Sequence, residues 1–256
     1  MNILCIGDVV SSIGIDYLMK TLPNFKRTHS IDFVIANGEN SSSGAGITPS
    51  SARSMFDCGV DVITSGNHAF KRHESYDFYD SCHEIVRPAN FPDKTTPGKG
   101  YTVIDMLKYQ ICVINLLGTL FLEPLACPFE TIDRILQETS KYKIRILDFH
   151  AEATSEKKAL GYYVDGRISA VFGTHTHVQT SDEIILEKGT GYITDVGMTG
   201  PADSVLGVKK ELAIASLKEK LPVKFETAQG SCRMDCIIFQ IDEKTGKTVS
   251  VKRFSV

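Results

Sequence analysis

The sequence lacks a charge block of either sign: among 256 residues, 31 acidic side chains stand against 28 basic ones, for a formal charge of -3. That balance excludes the strongly basic footprint of a protein held on nucleic-acid phosphates, so no stable nucleic-acid complex is expected. Long apolar runs are missing too. The most apolar stretch, residues 111–122, is broken by Asn115 and falls well short of the roughly 20 residues that span a bilayer. Residues 1–10 have neither a basic segment nor a small-residue cleavage site and run straight into an apolar strand pattern. The expectation is a cytoplasmic protein with no membrane partner. No linker, internal repeat or low-complexity tract divides the chain, so residues 1–256 read as a single domain.

Paired cysteines are scarce as well. The seven cysteines (Cys5, Cys58, Cys82, Cys112, Cys127, Cys232 and Cys236) are odd in number and irregularly spaced, which favours reduced, mostly buried thiols. Cys232 and Cys236 form the only close pair, and no second Cys or His pair stands near them to complete a zinc site.

What is present is a globular composition, 42% hydrophobic and 23% charged, which can build a core without staples. Short apolar runs alternate with amphipathic stretches, as strands do with crossover helices. Residues 2–7, 32–36 and 61–64 read as strands, and a helix opens at Thr48-Pro49, a cap followed by proline. Residues 101–105 and 110–115 predict an antiparallel hairpin, 128–142 and 155–163 helices, and 143–149 and 169–173 buried strands. Residues 183–186, 191–195, 236–241 and 248–254 predict a largely antiparallel run, interrupted by a helix over 209–221. So many strands predict an α/β fold of two packed, mixed β-sheets flanked by helices.

In α/β sheets ligands bind beyond the carboxyl ends of strands. Here the apolar runs finish on Gly7-Asp8, Asn37-Gly38-Glu39-Asn40, Gly66-Asn67-His68, Asp148-Phe149-His150 and Thr174-His175-Thr176-His177, which hold four of the seven histidines. Each ending alone has an ordinary reading, such as a helix cap for Asp8, a polar turn for Asn67-His68 or a core histidine for His150. Glu39 and Asn40 reach a common metal only from a loop, because neighbours on a strand face opposite ways. His175 and His177 are the sharpest signal: in an extended segment they share a face, roughly 6.7 Å apart along the chain. Such a pair can reach two metals about 3.5 to 4 Å from one another. No ordinary reading explains why all five runs end in Asp, Glu, Asn or His. Together they predict a binuclear metal site with Asp8, Glu39, Asn67, His150, His175 and His177 as ligands, a donor mix suited to iron, manganese or zinc.

These segments carry a resemblance, extended by Leu147-Asp148-Phe149-His150-Ala151-Glu152, Val178-Gln179-Thr180 and Tyr192-Ile193-Thr194-Asp195-Val196-Gly197-Met198-Thr199-Gly200-Pro201. The chain resembles calcineurin-like metallophosphoesterases and, within them, the YmdB-like family, over nearly its whole length. The resemblance implies a four-layer α/β/β/α sandwich and a cofactor of two divalent ions, iron or manganese first and zinc second. It also implies that Asp8 and His177 bind one metal, that Asn67, His150 and His175 bind the other, and that Glu39 bridges them. Asn40 would stand close to the metals and His68 would be the catalytic histidine. The wider superfamily carries Asp-x-His in the first motif and an acidic residue after Asn-His; Val10 and Ala69 occupy those places here, and the family supplies Glu39 instead. Ser11-Ser12-Ile13 and Phe70-Lys71 depart from the family's glycine-rich and Trp-Asp continuations, which bears on substrate fit rather than on metal binding.

Two divalent ions, two carboxylates and a bridging hydroxide leave a positive centre that suits phosphate. The expected reaction is in-line attack by that hydroxide on a small phosphodiester, by resemblance a 2',3'-cyclic nucleotide, with His68 protonating the departing alkoxide. A phosphomonoesterase or nucleotidase would use the same metals, and a regulatory protein would keep them as structure. A nuclease would need a basic or stacking groove, for which Lys71-Arg72 is a thin candidate. Gly44, Gly46, Gly197 and Gly200 sit where a backbone could approach phosphate, while Tyr76, Phe78 and Tyr79 read as core. A homo-oligomer is left open.

Overall fold

The structure, a computed structural model, describes residues 1–43 and 45–256; Gly44 lies outside them. In chain order the elements are β1 (Asn2–Ile6), β2 (Asp8–Val9), α1 (Ser11–His29), β3 (Phe33–Asn37), α2 (Pro49–Asp57), β4 (Val62–Thr64) and α3 (Tyr76–Ser81). The hairpin β5 (Tyr101–Asp105) and β6 (Gln110–Leu117) follows, then α4 (Pro128–Glu138), β7 (Ile144–His150), α5 (Thr154–Tyr163) and β8 (Ala170–Thr174). The last part holds β9 (Ile184–Ile185), β10 (Gly191–Ile193), β11 (Met198–Pro201), α6 (Lys210–Glu219), β12 (Cys232–Ile241) and β13 (Thr248–Ser255). One sheet runs β2-β11-β12-β1-β3-β4, with β13 on the other edge of β12, and the second runs β5-β6-β7-β8-β10-β9.

Side-chain alternation along the strands builds the layers. In the first sheet Ile3, Cys5, Phe33 and Ile35 face the other sheet, while Leu4, Ile6, Val34 and Ala36 pack under Leu18 and Leu22 of α1 and Ala52 and Met55 of α2. In the second sheet Ile144, Ile146, Ala170 and Phe172 face inward, and Leu147, Phe149 and Val171 meet Ile132 and Ile135 of α4 and Leu160 of α5. Two sheets covered on both faces give α/β/β/α, and strands covered on both faces read as continuous apolar runs rather than alternating ones.

The capping of α2 is as the sequence predicts: Thr48 Oγ1 accepts from the Ser51 amide at 3.1 Å, Ser51 Oγ accepts from the Thr48 amide at 3.0 Å, and Pro49 opens the helix. Helix α1 was not legible. Gly14 and Pro23 lie within it and Val10 offers no side-chain cap, so the usual start and stop signals are absent or misleading; the buried face of Ile15, Leu18, Leu22 and Phe25 holds it on the sheet. Helix α4 stops at Glu138, four residues short of the predicted end, and Tyr142 closes a turn through its amide to the Thr139 carbonyl. The late strands are also less antiparallel than predicted: β10 runs parallel to β8, and β11 runs parallel to β2. Tyr79 is buried, and Phe70 stacks against Tyr76, Tyr79 and Phe91, so the aromatic cluster belongs to the core. No helix among the described residues is long and apolar enough to cross a membrane.

Candidate metal centre

Parallel pairing levels the strand ends. Ile6 pairs with Ala36 and Asn37 with Thr64 in one sheet, and His150 pairs with Thr174 in the other, so five polar endings leave the sheets at one height. Alternation adds a second constraint. Asn37 and Thr64 continue the inward phase of Ile35 and Val62, and Asp148, His150 and Thr174 continue that of Ile146 and Phe172. The top of the inter-sheet core is therefore polar and fully buried.

A buried polar layer needs internal partners. Asp148 accepts from Thr64 Oγ1 at 2.5 Å, Thr174 Oγ1 at 2.7 Å and Asn37 Nδ2 at 3.1 Å, which joins the two sheets. Burial pushes its carboxyl up to about 6 against the opposing pull of His150 and the threonines. Above it, His150 Nδ1 lies 2.8 Å from Thr174 Oγ1. That hydroxyl spends its proton on Asp148, so Nδ1 carries a proton and Nε2 is the nitrogen free to exchange its proton for a metal ion.

His150 Nε2 faces three potential ligand atoms. His150 Nε2 lies 3.1 Å from Glu39 Oε1, 3.1 Å from Asn67 Oδ1 and 3.1 Å from His175 Nδ1. His175 Nε2 faces Glu152 at 2.9 Å, which leaves the remaining nitrogen, Nδ1, as an acceptor. The ligand atoms of Glu39, His150 and His175 fall within 4.8 Å of one another. A second group adjoins it: Asp8 Oδ1 lies 3.6 Å from His177 Nε2, and His177 Nδ1 donates to the Leu206 carbonyl at 3.0 Å. Asn40 Nδ2 spans both groups, 3.2 Å from Glu39 Oε1, 3.4 Å from Asp8 Oδ1 and 3.2 Å from His177 Nε2. Its Oδ1 accepts from His68 Nδ1 at 2.9 Å, and the His68 amide donates to Glu39 Oε2 at 2.9 Å. All eight residues singled out from the sequence are thus brought together.

The charges support one another. Burial opposes ionisation of Asp8, but His177 and the His175 amide hold its carboxyl well below the usual range. Burial likewise opposes a charge on Glu39, but the neighbouring His150 outweighs it and holds the carboxyl below its ordinary value. On His150 burial is outweighed by Glu39, which lifts the imidazole to about 9. Two buried anions beside imidazoles that release a proton when a metal binds form a donor set that fits divalent cations of intermediate hardness.

One expectation fails in its geometry. His175 and His177 do not lie on an extended segment: β8 ends at Thr174, and the two histidines have φ of 103° and 60°. Their left-handed backbones turn them to separate donor groups instead of one shared face. Gly197, also at positive φ, packs against Asp235, Gly200 against Val10 and Gly46 against Arg72, so contacts within the chain account for these glycines. Sequence reasoning gave no role to Asn37, Thr64, Asp148, Glu152 or Thr174. A polar residue at the inward phase of an apolar strand was the available signal for Asn37 and Asp148.

The chain matches the family described as YmdB-like protein over residues 4–254. It is 48% identical over 257 residues to the 2',3'-cyclic-nucleotide 2'-phosphodiesterase of Bacillus subtilis (strain 168), covering 100% of this chain and 97% of that protein. A crystal structure of a hypothetical protein from Thermus thermophilus superimposes with a TM-score of 0.94 at 39% identity, covering 100% of this chain and 99% of that one. A phosphatase structure from Mycoplasma pneumoniae gives a TM-score of 0.95 at 31% identity, covering 100% and 93%. With a family match and relatives that both span the whole fold, the chain belongs to the YmdB-like family.

Proposed function

We propose that this chain hydrolyses small cyclic phosphodiesters, 2',3'-cyclic nucleotides foremost, at a binuclear metal centre formed within one domain of residues 1–256. Asp8 and His177 would hold one divalent ion, Asn67, His150 and His175 the other, with Glu39 between them and Asn40 beside both. The observation that carries this reading is the convergence of three potential ligand atoms on His150 Nε2, each near 3.1 Å. When bound, the ions would polarise the phosphoryl group and supply a nucleophile near neutral pH. Iron or manganese suits the mixed oxygen and imidazole set best, with zinc as the alternative. The substrate class is supported by the name of the 48% identical relative.

The chain's own residues do the rest. Asn40 Oδ1 takes the Nδ1 proton of His68, which leaves Nε2 to carry the proton for the departing alkoxide. Glu39 fixes the turn that bears His68 through its amide. Seven cysteines, all free thiols, support a cytoplasmic setting.

The test is turnover of 2',3'-cyclic AMP against 3'-AMP, with elemental analysis, by manganese-loaded protein. Two metals per chain and preferential diester cleavage are expected. Preferential monoester cleavage would move the assignment to a phosphomonoesterase, and metal uptake without cleavage of either would move it to a regulatory role.

A further inference from the structure

Lys157 and Asp195 form an ion pair at 2.7 Å in which both side chains are 1% exposed. Replacing such a pair by well-packed apolar groups is often neutral or stabilising, so stability alone is a poor reason for its presence. Its remaining hydrogen bonds go to the end of β8, to the loop that follows it and to the turn at Gly197. Lys157 Nζ donates to the Thr174 carbonyl at 2.7 Å, the last residue of β8. Asp195 Oδ2 accepts from the Thr176 amide at 3.1 Å, and Oδ1 accepts from the Gly197 amide at 2.9 Å. The Asp195 backbone grips the far end: its carbonyl accepts from the Thr180 amide at 3.0 Å and its amide donates to Thr180 Oγ1 at 3.0 Å.

The segment so bracketed, residues 175–180, contains His175 and His177 in left-handed backbone conformations. For non-glycine residues this costs free energy and persists only where the surroundings over-determine it. The lysine reaches the loop because Gly173 has no side chain: a Cβ there would collide with the Thr194 carbonyl and lie 3.1 Å from Lys157 Cδ.

We infer that Lys157 and Asp195 are positioning residues: they hold the strained loop so that His175 and His177 each present one nitrogen to a different donor group of the centre. This rests on the metal-centre reading given above. Neither residue reaches the donors themselves, so they act through the loop.

The experiment compares wild type with the electroneutral double variant Lys157→Met/Asp195→Asn as full-length, chelator-stripped protein. Manganese alone is titrated calorimetrically, and amide hydrogen exchange is followed by mass spectrometry without metal. The expected result is manganese affinity lower by roughly 10- to 100-fold, faster exchange confined to residues 174–180, and an unfolding midpoint close to wild type. Unchanged affinity and exchange would overturn the inference, as would a faster exchange spread evenly over the chain. Should the double variant not fold, Thr180→Val removes one grip without burying a lone charge; it should shift affinity and loop exchange the same way, and no shift in either sinks the inference. Wild type that takes up no manganese would fail the metal reading instead, while the exchange comparison still judges the clamp.

Discussion

His175 Nδ1 lies 3.1 Å from His150 Nε2, across the ends of two neighbouring strands, and the other nitrogen of each ring is held by its own partner, Thr174 for His150 and Glu152 for His175. A divalent ion seated between them in place of the His150 proton would bind the folded chain and not the unfolded one. Chelator treatment should therefore cost stability. A resident ion held about 1,000-fold above its dissociation constant contributes about 4 kcal/mol, so stripping even one should lower the melting point by roughly 10 °C. Equal melting curves before and after metal removal would contradict the centre.

His68 is placed to act on the leaving group rather than to bind metal. His68→Ala should keep the wild-type manganese content and lose roughly 10²- to 10⁴-fold in kcat on a cyclic nucleotide. The loss should be far smaller for a p-nitrophenyl phosphodiester, whose leaving group needs no proton. Equal losses on both substrates would remove His68 from the role of acid.

Gly66 packs where no side chain fits. A Cβ at this position would fall 2.2 Å from His150 Cδ2 and 2.5 Å from Glu39 Oε2, far inside contact distance. Gly66→Ala should therefore displace two ligands at once, giving a folded protein with little bound manganese and little turnover. Full metal content in this variant, by elemental analysis, would show that the site is looser than these contacts imply.

Thiol reactivity should follow burial. Burial pushes the Cys112 thiol up to about 12 and raises Cys5 and Cys236 far above the ordinary range. At pH 8 only about 1 in 10⁴ Cys112 side chains would be thiolate, and Cys127 is exposed. Brief iodoacetamide treatment followed by peptide mapping should find Cys127 modified and Cys5, Cys112 and Cys236 intact until the protein unfolds. Rapid labelling of any of these three in the native state would show that its strand opens readily.

The sequence by itself determined most of the strands, the two-sheet class and the residues that the fold brings into one cluster. Those features are local: an apolar run, a proline after a threonine cap, and a polar residue where a run stops can each be read within a few positions. Asp8, Glu39, Asn67, His68, His150, His175 and His177 were legible because they stand at the ends of five strands, and parallel pairing brings such ends together. Only the tertiary structure decided how they are held. Asn37 reaches Asp148 across 111 residues and Lys157 reaches Asp195 across 38, and no local pattern encodes which distant carboxylate a buried amide or ammonium will meet. Helix α1, with Pro23 inside it, is a helix because Leu18 and Leu22 are buried against the sheet, not because its own sequence insists on one. The left-handed turns at His175 and His177 run against local preference altogether. Contacts made by the rest of the fold hold them there, so an extended reading of that segment was the locally correct one and the folded chain overrode it.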